Sequence, residues 1–144
     1  MTERFMLRFV LAGSLPTLGE LRELWESSYR LNHHDDGVVV LSGDLGKLVT
    51  VDMLKADDAR GRSLLAALGA QVAGVEGDDA DTVRFVLDSA AAVIVASPEP
   101  DVDVEQALEP LNALWEYLFE EHGGLLQIDH EGFYGEEGLL VSVP

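Results

Sequence analysis

The chain has 144 residues, of which 27 are Asp or Glu and nine are Lys or Arg, so its net charge is −18. It contains no Cys, which excludes disulfides, zinc sites with thiolate ligands and a Cys nucleophile. Its length suits one domain over residues 1–144, and a hydrophobic content of 47% suits a folded core. A strongly acidic surface repels phosphate and anionic lipid, so we expect neither nucleic-acid nor membrane binding.

The N-terminal segment lacks the pattern of a secretory signal. Glu3 and Arg8 stand where such a signal needs basic residues followed by an unbroken apolar core. No apolar stretch is long enough to cross a bilayer. We therefore expect a cytoplasmic protein.

Apolar periodicity predicts the elements of the first half of the chain. Alternating apolar residues are typical of a strand, and apolar residues three and four positions apart are typical of an amphipathic helix. Thr17, with Glu20 three residues later, forms a capping-box pattern before the first helix. The predicted elements are, in order, a strand over 5–11, a helix over 18–31, a polar loop over 32–37, and a hairpin of strands 38–41 and 48–51 joined through 42–46.

The second half contains the longest uncharged apolar run and the strongest helical pattern. The run over 90–96 predicts a strand buried on both faces. The apolar stripe that follows includes Trp115 and predicts a long helix, in which Pro110 causes a kink or begins a second piece. The other predicted elements are a helix over 60–72, a short helix around 83–87, and closing strands over 125–128 and 139–143 that flank a Gly-rich loop.

The order of the predicted elements, β-α-β-β-α-(α)-β-α-β-β, indicates an α+β domain. Its first six elements match the ferredoxin-like split βαβ pattern, to which a helix and a C-terminal hairpin are appended. We expect a mainly antiparallel sheet with the helices packed on one face. No linker and no internal repeat divides the chain.

Histidines beside carboxylates form the densest groups of metal-ligand types. His33, His34 and Asp36 lie in the predicted polar loop, and His130 stands between two acidic residues near the C-terminus. Adjacent side chains rarely point at one ion, so a metal site requires the two groups to converge in the fold. They define an alternative hypothesis, a small metal-assisted enzyme or ligand-binding domain that uses His33, His34 and His130.

The sequence contains no complete catalytic or cofactor-binding motif. The segment 42–48 has a Gly-Lys pair, but it lacks the first Gly and the Ser or Thr of a phosphate-binding loop. No Gly-x-Ser-x-Gly pattern is present, so a nucleophile elbow has no sequence to form on. We therefore predict no catalytic residue and no cofactor, which favours a binding protein over an enzyme.

Negative charge is concentrated in the C-terminal part, where thirteen Asp and Glu and no Lys or Arg follow Arg84. Such a surface serves either solubility or docking onto a basic protein. Two aromatic residues between glycines and acids are typical of a contact hot spot. The predicted partner-binding residues are Phe133, Tyr134, Glu131, Glu136, Glu137, Glu120 and Glu121.

In composition the chain resembles small acidic bacterial inhibitor and immunity proteins, which neutralise basic enzymes. No motif accompanies this resemblance. It implies a non-catalytic domain that docks on a basic protein, and this is the leading hypothesis. The identity of the partner and the oligomeric state remain open at this point.

Overall fold

An antiparallel sheet with helices on both sides forms the fold. In the computed structural model, which describes residues 6–13, 15–34, 37–42 and 46–143, the sheet has eight strands and four helices pack on it. The strands are β1 (Leu7–Leu11), β2 (Arg30–His34), β3 (Gly37–Ser42), β4 (Gly46–Lys55), β5 (Ala92–Pro98), β6 (Gly124–Ile128), β7 (Gly132–Gly135) and β8 (Gly138–Ser142). The helices are α1 (Leu18–Trp25), α2 (Ala59–Val72), α3 (Asp78–Ser89) and α4 (Val104–Glu121). None of these described helices is both long and apolar enough to span a bilayer.

The strand order is β2-β3-β4-β5-β1-β6-β7-β8, so β1 lies inside the sheet. It pairs antiparallel with β5 on one side and with β6 on the other. The pairs β1 with β4 and β5 with β6 each have one antiparallel strand between them, as in the split βαβ arrangement. Helix α4 joins β5 to β6 directly, whereas β2 and β3 are inserted between α1 and β4. The predicted α+β class with a mainly antiparallel sheet is confirmed. The second helix of the motif is α4, whereas the sequence had suggested α2.

The helices cover both faces of the sheet, although the sequence-based expectation placed them on one. Helices α1 and α4 pack on the face formed by Leu7, Phe9 and Leu11. Helices α2 and α3 pack on the opposite face, which contains Val10 and Val93. Strands β4 and β5 are adjacent and antiparallel, so the α2–α3 segment that joins them can lie over either face. The apolar residues of β1 and β5 that face away from α1 and α4 are covered by this segment.

Aromatic side chains fill the core between the sheet and the pair α1 and α4. The ring of Phe9 stacks on Trp115 with 5.9 Å between centroids and meets the edge of Phe119 at 4.8 Å. Trp25 is also buried, and its Nε1 donates a hydrogen bond to the carbonyl oxygen of Pro110 at 2.9 Å. Helix α4 runs through Pro110 as one helix, so it does not begin twice.

Two strands lie where the sequence predicted other structure. Helix α1 ends at Trp25, and residues 30–34, predicted as the helix end and a polar loop, form the edge strand β2. Strand β7 lies within the predicted Gly-rich loop and pairs with both β6 and β8. Pairing with a neighbouring strand, rather than a local apolar pattern, makes both segments strands. Phe5 of the first predicted strand and residues 43–45 of the predicted hairpin connection lie outside the described residues.

Replacement of Trp115 tests the assignment of this core. We expect Trp115→Ala to lower the free energy of unfolding by about 3–5 kcal/mol, because a large buried ring is lost. Phe85→Ala is the matched control, since Phe85 is 71% exposed on α3 and its loss should change stability by less than about 1 kcal/mol. Urea unfolding followed by circular dichroism measures both, and equal losses in the two variants would contradict the assignment.

Candidate functional site

The aromatic pair predicted as a contact site is divided between the two faces of the sheet. Phe133 is 0% exposed and packs in the core beneath α2 and α3, so it is a core residue and not a contact residue. Tyr134 points to the other face because successive side chains alternate along β7. Its hydroxyl donates a hydrogen bond to Oε1 of Glu131 at 2.6 Å, and this bond is the main reason that its pKa is raised.

The predicted glutamates are exposed, but they lie at two ends of the sheet. Glu120 and Glu121 stand at the end of α4, directly before the chain turns back into β6. Glu136 and Glu137 form the turn between β7 and β8, which lies at the same end because β7 runs antiparallel to β6. Glu131 precedes β7 and lies at the opposite end. Four of the five predicted glutamates therefore share one end of the molecule.

Exposed glutamates also extend along α4 and onto α1, beyond the residues predicted. A helix has 3.6 residues per turn, so residues spaced four and seven apart lie on the same side of it. On α4 this side carries Glu105, Glu109, Glu116 and Glu120. Helix α1 packs beside α4 on the same face of the sheet and adds further exposed glutamates. We name this surface the acidic face, and it consists of Glu23, Glu26, Glu105, Glu109, Glu116, Glu120 and Glu121.

A hydrogen-bonded cluster joins the two helices beneath the acidic face. The hydroxyl of Tyr117 donates to Oε2 of Glu20 at 2.7 Å, and Nε2 of His122 lies 3.1 Å from the same oxygen. The Tyr117 bond is the main reason that the pKa of Glu20 is lowered and that the pKa of Tyr117 is raised to about 12. The charges of Glu121 and Glu23 raise the pKa of Tyr117 further. Carboxylates of both helices thus act on one phenol.

The acidic face has no cationic partner within the described part of the chain. The ion pairs there are Arg8 with Asp129 and Arg84 with Asp81, together with the contact between His122 and Glu20. Like charges four residues apart destabilise a helix, and so do carboxylates in its last turn, which holds no basic residue in α4. On α4 this repulsion is therefore a cost to the stability of the isolated protein, whereas on α1 the exposed Arg22 lies next to Glu23.

The strand order separates the two histidine groups that define the alternative hypothesis. His33 and His34 lie on the edge strand β2, and His130 follows β6, which is five strand spacings away, or roughly 24 Å. His130 is exposed in a turn with φ of 68°, and Asp36 lies outside the described residues. Among the residues that the structure describes, no three His, Cys, Asp or Glu side chains are placed to hold a metal ion.

A half-buried polar group that the sequence did not predict lies on the opposite face of the sheet. Nη1 of Arg8 donates to Oε1 of Gln127 at 2.7 Å and to Oδ1 of Asp129 at 2.6 Å. Burial tends to raise the pKa of Asp129, but the hydrogen bonds from Gln127 and Arg8 outweigh it and lower this pKa. A cavity of about 720 Å³ adjoins Arg8. The sequence signal was a charged residue inside the otherwise apolar first strand.

Comparisons with known proteins give no relative. The chain matches no protein-family model, no curated protein and no solved structure. The acidic face and the cavity beside Arg8 are therefore the features from which a function is inferred.

Removal of the Glu20 charge tests the cluster beneath the acidic face. We expect Glu20→Gln to lower the pKa of Tyr117 from about 12 towards its ordinary value of about 10, because the charged acceptor is lost. Ultraviolet titration of the phenolate, with Tyr117→Phe to identify the signal, measures this change. In the wild type the raised pKa contributes stability that is present below about pH 10 and is lost between about pH 10 and 12. An unchanged Tyr117 titration in Glu20→Gln would show that the cluster is absent.

The end of α4 provides a test of the electrostatic cost. We expect Glu120→Gln and Glu121→Gln each to stabilise the fold by about 0.3–1 kcal/mol, because each removes a negative charge from the negative end of the helix dipole. Glu136→Gln removes the same charge from a turn and should have a smaller effect. Thermal unfolding at low salt compares the three variants. Destabilisation by the two α4 substitutions would mean that these carboxylates have stabilising partners.

Proposed function

We propose that the protein is a non-catalytic binding domain that docks a basic protein on its acidic face. The observation that carries this proposal is the series of exposed glutamates on α1 and α4, which has no cationic partner in the described residues. Lys and Arg are absent from the sequence after Arg84, so α4 itself supplies no neutralising charge. Inhibition of a basic enzyme is the form of binding that the composition resembles.

The carboxylates and the half-buried aromatics have different roles in this proposal. Negative charge accelerates the encounter with a basic surface and orients it, whereas affinity comes mainly from a desolvated centre. Tyr29, just after α1, and Tyr117, on α4, are half-buried against the same core, and Val104 is an exposed apolar residue at the start of α4. These three side chains replace Phe133 as the proposed apolar contacts, because Phe133 lies in the core.

The proposal also covers location and ligand class. We place the protein in the cytoplasm, and the net charge of −18 disfavours nucleic acid and anionic lipid as ligands. The alternative of a metal-assisted enzyme has no support from the described residues, since the strand order separates His33 and His34 from His130.

Two variants with equal net charge distinguish the acidic face from a general effect of charge. The test variant combines Glu109→Gln, Glu116→Gln and Glu120→Gln, all on the exposed side of α4. The control combines three exposed substitutions on or beside the opposite helices, namely Asp57→Asn, Glu76→Gln and Asp88→Asn. A partner is first captured on the wild-type protein from its native cell at low and high salt, and is then purified.

We expect the test variant to slow association with the purified basic partner by about tenfold at low salt, whereas the control changes the rate far less. Stopped-flow or surface-based kinetics at two ionic strengths measures both rates, and the difference between the variants should shrink as salt is added. If the two variants slowed association equally, net charge alone would explain the effect, and this would contradict docking on the acidic face. The absence of any basic protein partner at either salt would contradict the proposed function.

A further inference from the structure

A second feature lies on the side of the sheet opposite the acidic face. The cavity of about 720 Å³ is open between α2 and the strands, and its size suits a small organic molecule. The sheet contributes Arg8 and Ser97 to its wall, and α2 contributes Arg60 and Ser63. Two arginines and two serines thus line the cavity from opposite walls.

The hydrogen bonds of Arg8 leave one edge of its guanidinium without an oxygen partner. Nη1 donates to both Gln127 and Asp129, which hold the group in a fixed orientation. Nε is buried and has no hydrogen-bond partner, and Nη2 has a contact with Sδ of Met6 at 3.8 Å. Nε and Nη2 form the side of the planar fork that binds a carboxylate with two parallel hydrogen bonds.

An unpaired N–H of a permanently charged group is costly, because arginine cannot relieve it by losing a proton. Met6 lies beside this edge, and its unbranched thioether changes conformation readily. A ligand in the cavity would therefore reach this edge only if the Met6 side chain moved aside.

The charges around the cavity select the charge of the ligand. Arg8 and Arg60 line it together with Asp52, and Asp129 is bonded to Arg8 outside the lining. These four charges sum to zero, so the site favours a group with no more than one negative charge over a dianion, which would meet two nearby carboxylates. Two of the nine cationic residues of a strongly acidic chain thus stand at one cavity.

The remaining lining indicates the rest of the ligand. Met6, Leu64 and Val95 contribute apolar surface, as do further residues of α2 and β4. We infer that the cavity binds a small organic monocarboxylate with an apolar body, whose carboxylate pairs with Arg8 and Arg60. This inference is independent of the proposed docking function, because the cavity and the acidic face lie on opposite sides of the sheet.

Hexanoate is a suitable probe, with hexanol and hexylamine as analogues of the same chain length and sodium chloride as the ionic control. We expect hexanoate to raise the melting temperature and to shift the backbone amide resonances of Arg8, Arg60 and Ser63 in nuclear magnetic resonance titrations. The alcohol, the amine and the salt should do neither. Equal binding of hexanol, no binding of hexanoate, or tighter binding of inorganic phosphate than of hexanoate would each overturn the inference.

Matched arginine substitutions locate the effect. Arg60→Gln should weaken hexanoate binding by about tenfold, the usual value of one charge-assisted hydrogen bond. Arg8→Lys keeps the charge but removes the paired edge, and it should weaken binding at least as much. Arg22→Gln removes an exposed charge from α1 on the far side of the sheet and should leave binding unchanged. Equal weakening by Arg22→Gln and Arg60→Gln would mean that long-range charge alone attracts the anion and would contradict the site.

Discussion

The structure depends on β1, a strand that is paired on both edges and packed on both faces. Its adjacent residues Phe9 and Val10 are both fully buried, but their side chains point to opposite faces and pack against different pairs of helices. A strand of this kind is stable only when apolar groups cover each of its faces, because burial of apolar surface is the main driving force of folding. The connection between β4 and β5 meets this requirement with α2 and α3, and the split βαβ connections meet it on the other side with α1 and α4.

This two-sided arrangement separates the acidic face from the cavity beside Arg8. The outer sides of α1 and α4 carry like charges that raise the pKa of Tyr117 and have no cationic partner in the described residues. We expect this surface to lower stability, as we propose for charge that serves recognition rather than folding. On the other side, half-buried Arg8 has a buried Nε without a hydrogen-bond partner.

Sequence reasoning succeeded where a local pattern matched the final environment. The capping box is present, since Oγ1 of Thr17 accepts a hydrogen bond from the backbone N–H of Glu20 at 3.1 Å. The predictions of helix α4 and of the buried strand β5 are also confirmed, because most of the apolar side chains on which each prediction rests are buried. The apolar run of β5 also implied that both faces of the sheet are covered. The expectation of helices on one face was inconsistent with that implication.

Long-range pairing explains what the sequence could not show. Strand β2 is polar and lies at the edge of the sheet, so its own sequence has no apolar strand pattern. It is a strand because it pairs with β3. The glycines around Phe133 suggested an exposed loop, yet Gly132 adopts φ of 134° and permits close packing against β8, which buries Phe133. The convergence of Arg8 with Asp129 joins residues 121 positions apart, and no local pattern encodes such a contact.

Hydrogen exchange on the complex with the captured basic partner tests the central claim most directly, namely that docking occurs on α1 and α4. Mass spectrometry of the free and the bound protein reports which peptides gain protection. The docking account predicts slower exchange over residues 18–25 and 104–121 in the complex, with little change over 59–89. Protection confined to α2 and α3, or to the turn between β7 and β8, would contradict it.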